Sequence, residues 1–108
     1  ADPNISYMYG YTALIEASFA DQTSVLEVLL AKGADPNVSD KYGDTPLIVA
    51  AREGYTDVAK VLLAKDADPN ISNNNGHTAL IQASIKGLTN IVDLLLEQDA
   101  DPNISNKN

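Results

Sequence analysis

The four residues Ala34-Asp35-Pro36-Asn37 occur in four copies, and the other three lie at residues 1–4, 67–70 and 100–103. Each copy begins 33 residues after the one before it. A fixed period of roughly 20 to 50 residues indicates a repeat architecture. The period divides the 108 residues into repeats at about 1–33, 34–66 and 67–99, followed by a partial repeat at 100–108. We expect them to form a single domain.

The Asp-Pro-Asn part of each copy predicts a turn that ends the preceding helix. Proline presets the backbone of a turn, and the residue before proline is disfavoured in helices. Two helices are predicted in each repeat. In the middle repeat the first has Thr45 as its N-cap, has Pro46 at its first position and ends at Gly54. The second is predicted to have Thr56 as its cap and to stop near Lys65.

The repeats resemble the ankyrin repeat family, whose pattern is Gly-x-Thr-Pro-Leu-His, paired small residues, Gly, a Leu-rich helix and Gly-Ala-Asp. The positions of the middle repeat that match this pattern are Gly43, Thr45, Pro46, Leu47, Ala50, Ala51, Gly54, Leu62, Leu63, Ala67 and Asp68. The first and third repeats match it at most of the equivalent positions. The resemblance implies an all-α repeat solenoid of antiparallel helix pairs joined by β-turn or hairpin loops.

The chain departs from the family pattern at several positions. Isoleucine replaces the histidine of the pattern in all three repeats, and Asp21 replaces the glycine between the two helices of the first repeat. Asp66 and Asp99 replace the glycine that ends the second helix. Aspartate enters the left-handed backbone region at a cost relative to glycine. We therefore predict that glycine at position 66 or 99 stabilises the fold.

The resemblance implies a protein–protein interaction scaffold that binds its partner through hairpin tips and the concave helix face. Positions that differ between repeats are expected to face outward, and tyrosine is enriched at binding hot spots. The residues expected to bind the partner on these grounds are Tyr7, Met8, Tyr9, Tyr11, Phe19, Asp40, Lys41, Tyr42, Asp44, Arg52, Asn74, His77, Ile85 and Lys86. The alternative for the aromatic residues is packing against their own hairpin or a neighbouring repeat.

Composition argues against several other functions. The net charge of −8 lacks the basic footprint of a nucleic-acid-binding protein. No apolar run approaches the roughly 18 residues that a membrane span needs. The chain has no cysteine, which fits the cytoplasm or another reducing intracellular compartment. His77 is the single histidine and has no evident catalytic partner, so we expect no enzyme, no cofactor and no metal site.

Each Asp-Pro-Asn turn contains one aspartate. Asp2, Asp35, Asp68 and Asp101 recur at the repeat period and are predicted to cap turns rather than to bind a cation.

A solenoid needs polar outer faces on its terminal repeats, and none is evident in the sequence. Two explanations remain open: the chain is cut from a longer array, or chains self-associate end to end as a structural segment. The side chains expected to be exposed at the two ends include Leu14, Val25, Ile81, Ile85, Ile91 and Leu95.

Overall fold

The computed structural model describes residues 12–98 and 100–103. These residues form six α-helices, numbered in chain order as α1 (Ala13–Phe19), α2 (Thr23–Ala31), α3 (Pro46–Glu53), α4 (Thr56–Ala64), α5 (Ala79–Ile85) and α6 (Thr89–Glu97). Helices α1, α3 and α5 pack in one row, and α2, α4 and α6 pack in a second row behind them. Each helix of the first row also packs on the following helix of the chain. The all-α solenoid of stacked helix pairs is confirmed.

The first helix of each pair has a threonine as its N-cap, as predicted. The threonine hydroxyl accepts a hydrogen bond from the backbone N–H three residues later, which satisfies a donor that lacks a partner within the helix. The donor–acceptor distances are 3.2–3.3 Å in the three repeats. The three threonines are Thr12, Thr45 and Thr78.

The predicted cap of the second helix is wrong. Thr56 is the first residue of α4, and the cap position belongs to Tyr55, whose side chain makes no capping hydrogen bond. The Tyr55 carbonyl accepts from Ala59 N at 3.0 Å, so the helical hydrogen bonds begin one residue earlier than expected. The other second helices begin in the same way, after Gln22 and Leu88. Helix formation here does not depend on a side-chain cap.

Two aspartates take the left-handed conformation that the family pattern assigns to glycine. Asp66 has a φ of 71° after α4, and Asp21 has a φ of 55° between α1 and α2. Gly54, at the position equivalent to Asp21, has a φ of 80°. The prediction of a left-handed backbone at position 66 is confirmed, whereas Asp99 lies outside the described residues.

Replacing Asp66 with glycine is expected to raise the free energy of unfolding by about 1 kcal/mol, because glycine reaches positive φ without a steric penalty. The change also removes a carboxylate from the C-terminal end of α4, where it opposes the helix dipole. Urea denaturation measures the gain. Asp66→Asn is the control, since it removes the charge but keeps a side chain. An unchanged or lower midpoint for Asp66→Gly would contradict the prediction.

The turns between repeats are capped by aspartate at Asp35, Asp68 and Asp101, as predicted, whereas Asp2 lies outside the described residues. In each described turn the aspartate Oδ1 accepts the backbone N–H of the asparagine two residues later, at 2.8–2.9 Å. The asparagine in turn bonds to the next repeat. Asn37 Oδ1 accepts Asp68 N at 2.7 Å, and Asn70 Oδ1 accepts Asp101 N at 2.7 Å. These bonds couple successive repeats and explain the recurrence of both residues.

The core lies between helix pairs as much as within them. Ile15 and Ile48 are fully buried, whereas Ile81 at the equivalent position of the third repeat is half-buried. Leu14, Ile91 and Leu95 are also buried, so the expectation that they are exposed at the ends is wrong. The large apolar side chains exposed on helices are Val25 and Val28 of α2, Ile85 of α5 and Leu96 of α6.

Candidate functional site

The loops that precede α3 and α5 share one design, in which the first side chain closes the loop. Asp40 Oδ1 accepts the backbone N–H groups of Tyr42 at 2.9 Å and of Asp44 at 3.0 Å. The Asp40 backbone is also bonded to the backbone of Asp44, with an N–O distance of 3.1 Å. Asn73 holds residues 75 and 77 in the same way, with both distances at 3.0 Å. The two loops, residues 40–44 and 73–77, form hairpin tips.

The two tips are bonded directly to each other. Asn74 N donates to the Tyr42 carbonyl, and Asn74 Nδ2 donates to the Lys41 carbonyl, both at 2.9 Å. Gly43 makes this approach possible, because a Cβ added there would lie only 2.7–2.8 Å from Asn74 atoms. Its φ of 80° independently favours glycine. The backbone of the 40–44 tip is therefore held both within its own loop and by the next repeat.

A buried polar cluster lies beneath the tips. Asp44 Oδ2 accepts from Arg52 Nη1 at 3.0 Å, and Asp44 Oδ1 accepts from Asn73 Nδ2 at 2.9 Å. Asp44 thereby joins helix α3 to the third repeat's tip. The Arg52 side chain stays 26% exposed, and its Nε lies 3.7 Å from Glu53 Oε2.

Tyr42 is the most exposed aromatic side chain among the described residues, at 53%. Its ring lies 5.5 Å from Lys41 Nζ, which places the ammonium within range of a cation–π contact. The backbone around the ring is fixed, whereas the ring itself faces solvent. The 40–44 tip thus presents an aromatic and a cationic group on a rigid support.

A family comparison decides the class of the protein. The family model for ankyrin repeats, which contains three copies, matches residues 14–106. The chain belongs to the ankyrin repeat family. Ankyrin repeats are generally protein–protein interaction modules without catalytic activity. A search of curated proteins gave no match to the chain.

Two of the residues expected on the ankyrin binding surface are buried instead. Asp40 is only 6% exposed and Asp44 only 5% exposed, so the expectation that they face outward is wrong. Both carboxylates are directed into the hairpin stack. Asp40 Oδ2 is buried and has no hydrogen-bond partner among the described residues. Variation between repeats therefore does not by itself mark a surface position.

The other candidates lie in different environments. Lys41, Tyr42, Asn74, Ile85 and Lys86 are exposed, whereas Phe19, Arg52 and His77 are partly buried. Positions 19, 52 and 85 are equivalent in the three ankyrin repeats and lie at or near the C-terminal ends of α1, α3 and α5. The candidates in the first tip lie outside the described residues, and these are Tyr7, Met8, Tyr9 and Tyr11.

His77, the single histidine of the chain, lies just before α5. His77 Nδ1 lies 3.0 Å from Gln82 Nε2, so the imidazole takes part in a local contact at the start of α5. No group of three or more histidine, cysteine, aspartate or glutamate side chains in the described ranges could hold a metal ion. No helix in the described part of the chain has the length and apolar character needed to cross a membrane.

Sequence reasoning missed two features that organise the ankyrin surface. The Asp44–Asn73 pair crosses from one repeat to the next, and the turn asparagines bond across the same boundary. The recurrence of asparagine at positions 37 and 70 was a visible signal of the second feature. The first had no such signal, because its two residues differ in type and are 29 residues apart.

Proposed function

We propose that this ankyrin chain is a non-catalytic module that binds a protein partner through its hairpin tips and the adjacent ends of α1, α3 and α5. The observation that carries the proposal is the exposed Tyr42 ring on a tip whose backbone is already fixed. Its neighbours on this surface are Lys41, Asn74 and the C-terminal end of α3 at Arg52. Each differs in type from its counterparts in the other repeats.

The physical support is preorganisation. Ordering a loop on binding costs free energy, and a loop that is already ordered avoids most of that cost. In the free chain the tip is held by two hydrogen bonds to Asp40 Oδ1 and two from Asn74. A tyrosine ring supplies a large amphipathic contact area with few rotatable bonds. Tyr42 is therefore the residue from which we expect the largest loss of affinity.

Charge indicates which partners fit this module. The net charge of −8 attracts basic protein surfaces at long range and repels nucleic acids and anionic membranes. The tip itself carries the positive charge of Lys41. An acidic or aromatic side chain of the partner is therefore favoured at the contact beside Tyr42. We propose a protein partner with a basic overall surface and such a side chain at the contact.

Photochemical crosslinking tests the proposed surface and identifies the partner in the same experiment. Benzoylphenylalanine is introduced at position 42 and, as a control, at the exposed position 60 on α4 in the second helix row. Both proteins are irradiated in an extract of the source cells, and adducts are identified by mass spectrometry. We expect discrete protein adducts from position 42 and none of the same adducts from position 60. Equal adducts from both positions, or none from position 42, would contradict the proposal.

Tyr42→Ala is expected to weaken binding of the crosslinked partner by at least about tenfold, as is common for a central aromatic contact. Lys60→Ala is the matched control and should leave the affinity unchanged. Isothermal titration calorimetry with the purified partner measures both affinities, and helical circular dichroism confirms that the variants are folded. Retained affinity in Tyr42→Ala would place the binding surface elsewhere.

A further inference from the structure

Arg52 places a charged side chain where the other two repeats have an apolar one. It lies near the C-terminal end of α3, and the equivalent residues are Phe19 of α1 and Ile85 of α5. Helix α3 packs against both α1 and α5 in the first row. The partial exposure of Arg52 is therefore not a consequence of lying at an end of the stack.

The guanidinium of Arg52 is held through Asp44. Arg52 Nη1 donates to Asp44 Oδ2 at 3.0 Å. Asp44 is buried, and its other oxygen accepts from Asn73 Nδ2 of the next repeat at 2.9 Å. Because the guanidinium is a rigid plane, fixing one of its N–H groups also restricts where the others point. The boundary between two repeats thus orients the remaining donors of Arg52.

Part of this guanidinium is unused within the described residues. Arginine has five N–H donors in a planar fork. Neither Nε nor Nη2 of Arg52 donates a hydrogen bond to a described residue. Glu53 Oε2 lies 3.7 Å from Nε, which is an ion-pair contact beyond hydrogen-bond distance. The Glu53 side chain is 42% exposed, so it can turn away from Arg52 without disturbing the core.

The accessible charges around Arg52 differ from those of the whole chain, whose net charge is −8. In the described part of the tips and the first helix row, Lys41, Arg52 and Lys86 are positive, and Glu16 and Glu53 are the accessible acids. The negative excess lies instead on the second helix row and on the Asp-Pro-Asn turns. An acidic group that approaches Arg52 therefore avoids much of the repulsion that the rest of the surface exerts.

We propose that Arg52 binds an aspartate or glutamate side chain of the partner, and that Glu53 competes for the same donors in the free chain. The inference rests on the proposed function and deepens it, because it names a chemical group that the partner brings to this surface. Nε and Nη2 form one edge of the fork and donate to the two oxygens of the carboxylate. Such paired, charged hydrogen bonds are stronger and more directional than bonds between neutral groups. Arg52 is thus a specificity determinant for acidic partner segments.

A phage-displayed library of random peptides is the probe, and the full wild-type chain is the bait. The peptides are fused through their C-termini, so that only side chains offer a carboxylate. Binders are synthesised with amidated C-termini, and fluorescence anisotropy measures their affinities. We expect one acidic residue in each binder whose change to the amide weakens binding to the wild-type chain at least about tenfold. The same change should barely affect binding to Arg52→Gln, because the paired group is already absent.

Three further variants separate the pairing from simpler causes. Glu53→Gln removes the competing carboxylate and should strengthen peptide binding about threefold, the size typical of an exposed ion pair. Lys60→Gln removes one positive charge from the exposed side of α4 and should have no effect. Arg52→Lys keeps a positive charge beside Asp44 but loses the fork, so it should lose most of the preference for the acidic residue. Circular dichroism confirms that each variant is folded.

Tyr42→Ala distinguishes a failure of this inference from a failure of the proposed function. Peptides that lose affinity for Tyr42→Ala but bind Arg52→Gln normally would overturn the inference and leave the tip surface intact. Peptides that respond to Arg52→Gln alone would support the inference and remove Tyr42 from the contact. Binders without an acidic residue, or an unchanged affinity for Glu53→Gln, would also overturn the inference. A selection that yields no binder would contradict both.

Discussion

Gly43→Ala is expected to lower the free energy of unfolding by about 3 kcal/mol. Two costs add at this position. A side chain at a φ of 80° is strained, and the new Cβ would lie 2.7 Å from Asn74 Oδ1 and 2.8 Å from Asn74 N. The amide nitrogen is backbone, so it cannot move aside as the end of a flexible side chain could. The tips of the second and third repeats must separate.

Gly33→Ala is the matched control for this prediction. Gly33 has a φ of 94°, yet a Cβ added there meets no described atom within 4 Å. We expect it to cost only about 1 kcal/mol, the conformational part of the penalty. Gly87→Ala, with a φ of 68° and the same open space, should behave alike. Thermal and urea denaturation compare the three variants. Equal losses for Gly43 and Gly33 would show that contact between the tips does not contribute to stability.

Ile48→Ala is expected to cost about 3 kcal/mol, because it opens a cavity between the second and third helix pairs. Ile48 is 1% exposed and lies on α3, which packs against α5 of the third repeat. Ile81→Ala makes the same chemical change at the equivalent position of the third repeat, where the side chain is half-buried. There we expect about 1 kcal/mol, since less apolar surface is returned to water.

The difference between these two variants measures how much stability arises between repeats. Urea denaturation followed by circular dichroism gives both values under one set of conditions. Ile15→Ala should resemble Ile48→Ala, because Ile15 is also fully buried. If Ile81→Ala cost as much as Ile48→Ala, the stacking of helix pairs would not be the source of the stabilisation.

Features that depend on local chemistry could be predicted from the sequence. The Thr45 cap, the turn at Asp68 and the positive φ at Asp66 each follow from one residue and its immediate neighbours. The 33-residue period then gave the number of helix pairs and their order. The start of α4 could not be predicted in this way, because Tyr55 offers no capping oxygen and the helix begins through backbone bonding and packing.

The outer surface was harder to predict, for a physical reason. Asp44 and Asn73 differ in type from their equivalents, and for Asp44 this difference suggested that it faces solvent. They differ instead because each complements the other across the boundary between repeats. Similarly, Leu95 and Leu96 are adjacent leucines, yet one is fully buried and the other is 44% exposed. Only the rotation of α6 against α5 decides which of them lies on the end of the stack.

Hydroxyl-radical footprinting tests the binding surface most directly, with the chain free and in complex with the partner that crosslinking identifies. The method oxidises exposed side chains. Tyr42 reports on the tip, Leu96 on the end of the stack at α6, and Val28 on the end at α2. We predict that Tyr42 is oxidised in the free chain and protected in the complex, while Leu96 and Val28 stay equally reactive. Unchanged oxidation of Tyr42 together with protection at another face would contradict the proposal that this ankyrin module binds its partner through the hairpin tips.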